Sequence, residues 1–370
     1  MTQITNAKNL ASSLIQRMAW ESQCKPLLKS YGVAISLGAQ ATKLKLFNEF
    51  DKSELYAQKF IKNLHDHYLD VLYSGDCTLQ MFKEEKSKFN ALYESVTAIT
   101  PAKTIATKFF PFVVATDDLS TLSESTELTF RIVHNGKLYL FFSTNRTITE
   151  RTSINPKLLR ESDDVTKFLQ KYSSITAFTD IPRQYLDMVC LNPEDCTIEF
   201  RLDTSSAVAF KDIEKLFAEL RVAFRDLLPP SQKPNMLKQP INFFPLIDSL
   251  YTNKSCRVCE LSFISADGYV HSERDRNKTD NGDIRMGEFH IGGVDKCEIT
   301  PYKISTRWHS SFNSKLKYDY ELSLNSTFRE LSKLDEKFLG YAVITSCPSI
   351  SDMEKILNLL KTQDELSKVS

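Results

Sequence analysis

The apolar residues of this chain recur with two different periods, and that change limits what it can fold into. Between Asp51 and Gly75 the positions Tyr56, Phe60, Ile61, Leu64, Tyr68, Val71 and Leu72 recur every three to four residues, the spacing of one helix face. From Leu316 through Tyr318, Tyr320 and Leu322 to Leu324 every second residue is apolar, which a strand would turn toward one side of a sheet. Neither an all-helical nor an all-β fold accommodates both. The expected class is α+β, with a helical N-terminal region, a mixed α/β middle and an antiparallel β-rich C-terminal region ending in a helix.

The division expected from composition is a helical region at 1–100, a mixed region at 101–230, a linker with a short helix at 231–255, and an antiparallel meander with a terminal helix at 256–370. Helices are predicted over Ser12–Leu28, Asp51–Gly75 (capped through Asp51 and Glu54), Thr78–Ile99, Ser162–Tyr172 and Phe210–Leu228. A hairpin is predicted where Leu128–Val133 and Lys137–Phe142 flank His134-Asn135-Gly136, and strands at Thr197–Leu202 and Tyr341–Thr345. The polar Pro229–Pro240 stretch reads as the linker, and Ser351 or Asp352 as the cap of a final helix to about Leu360.

Composition narrows function mostly by exclusion. Lys plus Arg number 47 and so do Asp plus Glu, so the formal charge is zero and gives no electrostatic reason to expect a nucleic-acid partner. There is no GxGxxG or GxxxxGK[ST] run among the ten glycines, and no GxSxG elbow. Residues 1–10 are polar, without an export signal, and no apolar run reaches the ~18 residues of a membrane span. With eight scattered cysteines, the expectation is reduced thiols and a cytoplasmic protein that does not contact a membrane.

Chemistry-bearing residues concentrate between Glu260 and His309. Asp267-Gly268 and Asn281-Gly282 both suit two-residue turns, which predicts a β-meander. If Arg276 paired with Arg285, Glu273 would face Glu288 and His271 would face His290 on one side of a hairpin. Two imidazoles and two carboxylates there could hold a divalent metal and activate water, although a solvated sheet face accounts for the same residues. Arg274, Arg276, Lys278 and Arg285 gather at the hairpin tip, with Arg307 and Trp308 farther on, as candidate nucleic-acid contacts. Acidic residues interleave with them and favour an exposed salt-bridged tip or a protein contact.

Weaker patterns have plainer readings. Asn277–Glu288 imitates a calcium loop but lacks helical flanks. Cys256 and Cys259 form a lone CxxC, better read as two buried structural cysteines. His65-Asp66-His67 with Asp70 sits on a helix, where His65 and His67 diverge by about 200° and cannot share one ion.

The expected function is therefore a non-catalytic binding or assembly subunit of a cytosolic complex, needing no cofactor. It would project the 262–291 hairpin toward a protein partner, with nucleic acid as a candidate. The alternative is a phosphodiesterase-like, metal-dependent hydrolase using His271, Glu273, Glu288 and His290.

Overall fold

The computed structural model describes residues 2–123, 125–159, 164–205, 212–233, 236–275, 282–313 and 316–366. The fold is α+β. Helices α1 (Gln3–Arg17), α2 (Lys25–Ser30), α3 (Ala39–Lys52) and α4 (Glu54–Ser74) come first. Strand β1 (Cys77–Lys83) follows, then α5 (Lys86–Thr97), α6 (Ile105–Phe109), β2 (Glu127–His134) and β3 (Lys137–Ile154). Next are α7 (Asp164–Leu169), β4 (Ile175–Asn192), β5 (Thr197–Asp203), α8 (Ile213–Asp226) and α9 (Leu246–Thr252). The chain continues through β6 (Arg257–Ser265), β7 (Val270–Arg274), α10 (Glu288–Val294), β8 (Ile299–Asn313), β9 (Leu316–Asn325), α11 (Phe328–Leu331), β10 (Ala342–Thr345) and α12 (Ile350–Leu366).

Among the described residues the strands form one ten-stranded antiparallel sheet in the order β2-β3-β4-β5-β1-β10-β9-β8-β6-β7. Strand β1, from the N-terminal part of the chain, lies between β5 and β10 and joins the two halves. Its alternation decides how the layers attach. Leu79 and Met81 pack with Leu322, Leu324, Ala342 and Ile344 under α9 and α12. Phe82, on the other face, packs with Leu140, Val189, Ile198 and Phe200 under α5 and α8. A separate helical core joins Leu10 and Leu14 of α1 with Leu46 and Phe50 of α3 and Phe60, Leu64 and Tyr68 of α4. Helix α4 then reaches the sheet through Leu72, which packs with Tyr139, Phe141 and Met188.

A buried ion pair joins the first helix to the sheet, Arg17 with Asp203 at 2.5 Å, and two more lie within the sheet, Arg146 with Asp187 and Arg201 with Glu199. Removing one member of such a pair leaves the other charge buried without compensation.

Several elements match the sequence expectation. Helix α4 and strand β9 do, with Tyr318, Tyr320, Leu322 and Leu324 all buried. So does the β2–β3 hairpin, whose Asn135 (φ 49°) and Gly136 (φ 78°) take the left-handed values its turn requires. Other elements differ. Thr78–Ile99 is not one helix: β1 occupies its start, and its strand is buried through Phe82, which erases the in–out contrast that marks a strand. Ser12–Leu28 is broken by a π-helical turn at Trp20–Cys24. The cap of α4 is Ser53, which accepts the Tyr56 amide, and the cap of α12 is Ser349, which accepts the Asp352 amide. Ser162 lies outside the described residues.

The stretch 231–255 supplies core side chains Phe243, Leu246, Ile247 and Leu250. The described residues of 262–291 do not form the expected two-stranded hairpin: β6 and β7 are laid into the sheet, β7 ends it, and the segment from Glu288 is helical. A different hairpin does project. β2 pairs with β3 only as far as Ser143, and β5 pairs with β4 only from Met188. Beyond those limits β3 and β4 continue as a two-stranded ribbon, from the Asn145–Gln184 pair to the Ile154–Ile175 pair, about 30 Å at the usual rise per residue.

Candidate functional site

Hairpin β6–β7 turns at Asp267-Gly268, where Gly268 adopts φ 91°. Its ladder sets Phe263 opposite His271 and Leu261 opposite Glu273. His271 and Glu273, two residues apart on β7, therefore share a face, as their spacing predicts. Segment 282–294 does not return as a strand across Asn281-Gly282. It forms a 3-10 turn at Ile284–Met286 and then helix α10, whose end leads into the Ile299 start of β8. The facing pairs expected between Glu273 and Glu288, and between His271 and His290, do not occur.

Helix α10 nevertheless delivers one of these residues to the same place. His290 is buried, with its Nδ1 at 3.0 Å from Glu273 Oε2 and its Nε2 at 2.9 Å from the Tyr251 hydroxyl. An ionised carboxylate can only accept, so Nδ1 carries the hydrogen in this contact, and in the neutral ring Nε2 is then the acceptor for the Tyr251 hydroxyl. Burial pushes the Tyr251 hydroxyl up from its ordinary value, which keeps it a donor at neutral pH. His271 stacks on Phe263, with ring centroids 5.0 Å apart, and its Nε2 lies 3.4 Å from Ser265 Oγ. The Ser265 hydroxyl donates to Asp267 and holds that exposed carboxyl below the usual range.

These groups line a cavity of about 200 Å³. Its apolar walls are Phe263, Phe289, Val294 and Ile299, its charged groups are Asp267 and Glu273, and Cys297 lies at the side. Among the described residues no lysine or arginine lines it. Beside it the sheet ends at β7, flanked by the exposed side chains of Tyr269 and Val270.

Of the four candidate metal ligands, His271, Glu273 and His290 meet at this cavity, while Glu288 is exposed on α10. Both ring nitrogens of His290 are already hydrogen-bonded. No group of three His, Cys, Asp or Glu placed to hold a metal ion occurs among the described residues.

The candidate nucleic-acid contacts are dispersed. Arg276 and Lys278 lie outside the described residues, as do residues 277–281 of the calcium-like loop. Arg285 is fixed by Asp283 and by the carbonyls of Tyr251, Asn253 and Cys256 at 2.6–2.8 Å. Arg307 binds Glu321 at 2.8 Å, whereas Trp308, the next residue on β8, stacks on Tyr320 toward the core. Successive strand residues face opposite sides, so those two cannot form one stacking-and-phosphate site. Arg274 is exposed and 4.0 Å from Glu260. Cys256 and Cys259 are buried free thiols. His67 binds the Tyr31 hydroxyl at 2.5 Å, and His65 lies 3.5 Å from Asp66.

Tyr251, Phe263 and Ser265 escaped the sequence reading, in which Asp267 figured only as a turn residue. Only the fold brings residues from five segments together, and none stands in a local motif. Compared with known proteins, the chain matches no family model and no curated protein sequence. No helix among the described residues is long and apolar enough to cross a membrane.

Proposed function

We propose that this chain is a non-catalytic binding subunit that receives an extended segment of a protein partner along the edge of β7, with a lysine or arginine of that segment in the adjoining cavity. The supporting observation is the juxtaposition itself: a terminal strand beside a cavity with apolar walls and two carboxylates. A partner strand would hydrogen-bond to the edge backbone, and a pocket for one side chain would supply selectivity. The aliphatic stem of a long cation would lie against Phe289, Val294 and Ile299, with its charged head near Asp267 and Glu273. The Tyr251–His290–Glu273 chain serves this reading by fixing the Glu273 side chain in place. The eight free thiols suit a reducing compartment, and we place the complex in the cytosol.

The test is fluorescence anisotropy with extended peptides that differ at one position, carrying Lys, Arg, norleucine or Glu there. Lys and Arg peptides should bind more tightly than the norleucine peptide, and Glu least. Asp267→Asn should reduce the preference for cations about tenfold, and N-methylation of alternate peptide amides should abolish binding in one register only. Equal binding of all four peptides, or indifference to N-methylation, would overturn the proposal.

A further inference from the structure

We infer that a second cavity, at the end of β10, binds a neutral polyhydroxylated molecule of about monosaccharide size. None of its lining residues belongs to the cavity beside β7, so the inference does not rest on the peptide site.

The short β10 makes the space. Strand β9 begins at Leu316, but its pairing with β10 starts only at Glu321, opposite Thr345. The next residue, Ser346, takes φ 60°, a left-handed value uncommon for serine, and its amide donates to Asp76 at 2.6 Å, so the chain leaves the sheet there. The π-helical turn Trp20–Cys24 stands beside the part of β9 that β10 does not reach, and turns of this kind are frequent at functional sites. Between the turn, β9 and the end of β10 lies a cavity of about 270 Å³. That is the room of about nine waters at ~30 Å³ each, just under the usual ~300–1,000 Å³ of ligand pockets, and it limits the ligand to a small one.

The charges in the wall are balanced in place. Asp319 accepts from Arg257 at 2.9 Å and meets His309. Glu321 accepts from Arg307 Nε at 2.8 Å and from the Ser323 hydroxyl at 3.1 Å. A small anion would face both carboxylates, and a cation would have to displace guanidinium groups from them. The wall therefore favours a neutral ligand.

Hydrogen-bonding capacity is left over. Gln23 lines the cavity and is 4% exposed, and its Oε1 accepts the Ala19 amide at 3.1 Å. That contact fixes which way the carboxamide points and turns its Nε2 hydrogens elsewhere. Among the described residues neither those hydrogens nor Arg307 Nη2 has a hydrogen-bond partner. A buried donor left unpaired costs stability, and a ligand that accepts from it recovers that cost. Ser22, Thr345 and Ser346 add hydroxyls that both donate and accept. Alcohol groups suit this set, since each can accept from Gln23 or Arg307 while donating to a neighbouring oxygen.

Isothermal titration calorimetry of the full chain tests the inference with four neutral polyols (glucose, galactose, mannose and myo-inositol), with inorganic phosphate as the anion and with 1,4-diaminobutane as the cation. At least one polyol should bind saturably with Kd about 1 mM or below, more tightly than phosphate or diaminobutane. Gln23→Glu keeps the acceptor for Ala19 and removes the donor, so it should weaken the polyol at least tenfold. Thr345→Val preserves shape and strand preference, so it guards against a folding defect. It should weaken binding about three- to tenfold, the worth of one hydrogen bond, with the thermal midpoint unchanged. Absence of saturable binding by all four polyols, tighter binding of phosphate or diaminobutane, or polyol binding indifferent to Thr345→Val would each overturn the inference.

Discussion

Asp76 and Asp203 flank the point where β1 leaves α4, and burial disfavours ionisation of both, yet their partners drive them apart. Burial pushes the Asp76 carboxyl up to about 6, and the Ser346 amide it accepts at 2.6 Å only partly offsets this. For Asp203 burial acts in the same direction, but Arg17, the Ser205 contacts and the Leu186 amide outweigh it and hold the carboxyl below its ordinary value. The consequences for stability have opposite signs. With a folded pKa above its unfolded value, Asp76 contributes stability that is complete below about pH 4 and is lost as pH rises through about 6. Asp76→Asn keeps an acceptor for Ser346 without the charge, so it should stabilise the protein above pH 7 by up to about 3 kcal/mol, and by little at pH 4. That figure is an upper bound because Asp76 keeps some solvent contact. Urea denaturation at the two pH values reads the difference, and a gain independent of pH would contradict it. Asp203 contributes stability that is present above the ordinary carboxylate pKa and lost as pH falls through its lowered value. Arg17→Met leaves that buried carboxylate unpaired and should cost about 3–5 kcal/mol at pH 7, with a smaller loss in acid.

Element boundaries show what the sequence could and could not reveal. Gly75 was legible as the stop of α4, but its physical reason is not a left-handed φ. A Cβ there would lie 2.6 Å from the Val71 carbonyl oxygen, so no side chain fits without moving backbone. Gly75→Ala should therefore destabilise by about 1–3 kcal/mol, whereas Gly32→Ala, with open space around it but φ 75°, tests conformational strain alone. Comparing the thermal midpoints of the two variants separates the two causes. Helix α4 and strand β9 were readable because each has one wet and one dry face. Strand β1 was not, since both of its faces are buried and Thr78 and Gln80 are as hidden as Leu79 and Met81. The site was half legible. The shared face of His271 and Glu273 follows from their spacing alone, but the arrival of His290 depends on α10 folding over the sheet. In that helix Phe289 and Ile291, which a strand would have buried, are the exposed neighbours of a buried histidine. The β3–β4 ribbon was missed because β4 changes environment midway, exposed toward its start and buried from Gln184 onward, so no single period describes it.

At the scale of the whole molecule the position of β1 determines how the protein unfolds. Strand β1 lies between β5 and β10 and sends Leu79 and Met81 into the core under α9 and α12, and Phe82 into the core under α5 and α8. The 231–255 segment, by composition the natural place to divide the chain, is tied to both parts. The Ile241 amide donates to the Met81 carbonyl at 2.7 Å, and Phe243 donates to the Leu339 carbonyl at 2.8 Å. Neither portion on its own could therefore close its sheet. A C-terminal piece would expose the β10 edge and lose two apolar side chains from its core, at about 2–5 kcal/mol for each residue emptied. An N-terminal piece would leave β1 as a long exposed edge. Separately expressed 1–240 and 241–370 fragments should accordingly lack cooperative thermal transitions and well-dispersed amide spectra, while mixing them should restore both. The intact chain should unfold in one transition, with coincident curves from far-UV circular dichroism and from the fluorescence of Trp20, against the helical core of α1–α4, and Trp308, against the core under α9 and α12. Leu79→Ala should lower both curves together. A shift confined to the Trp308 signal would mean that the two halves of the sheet are thermodynamically separate, and that β1 connects them in geometry but not in stability.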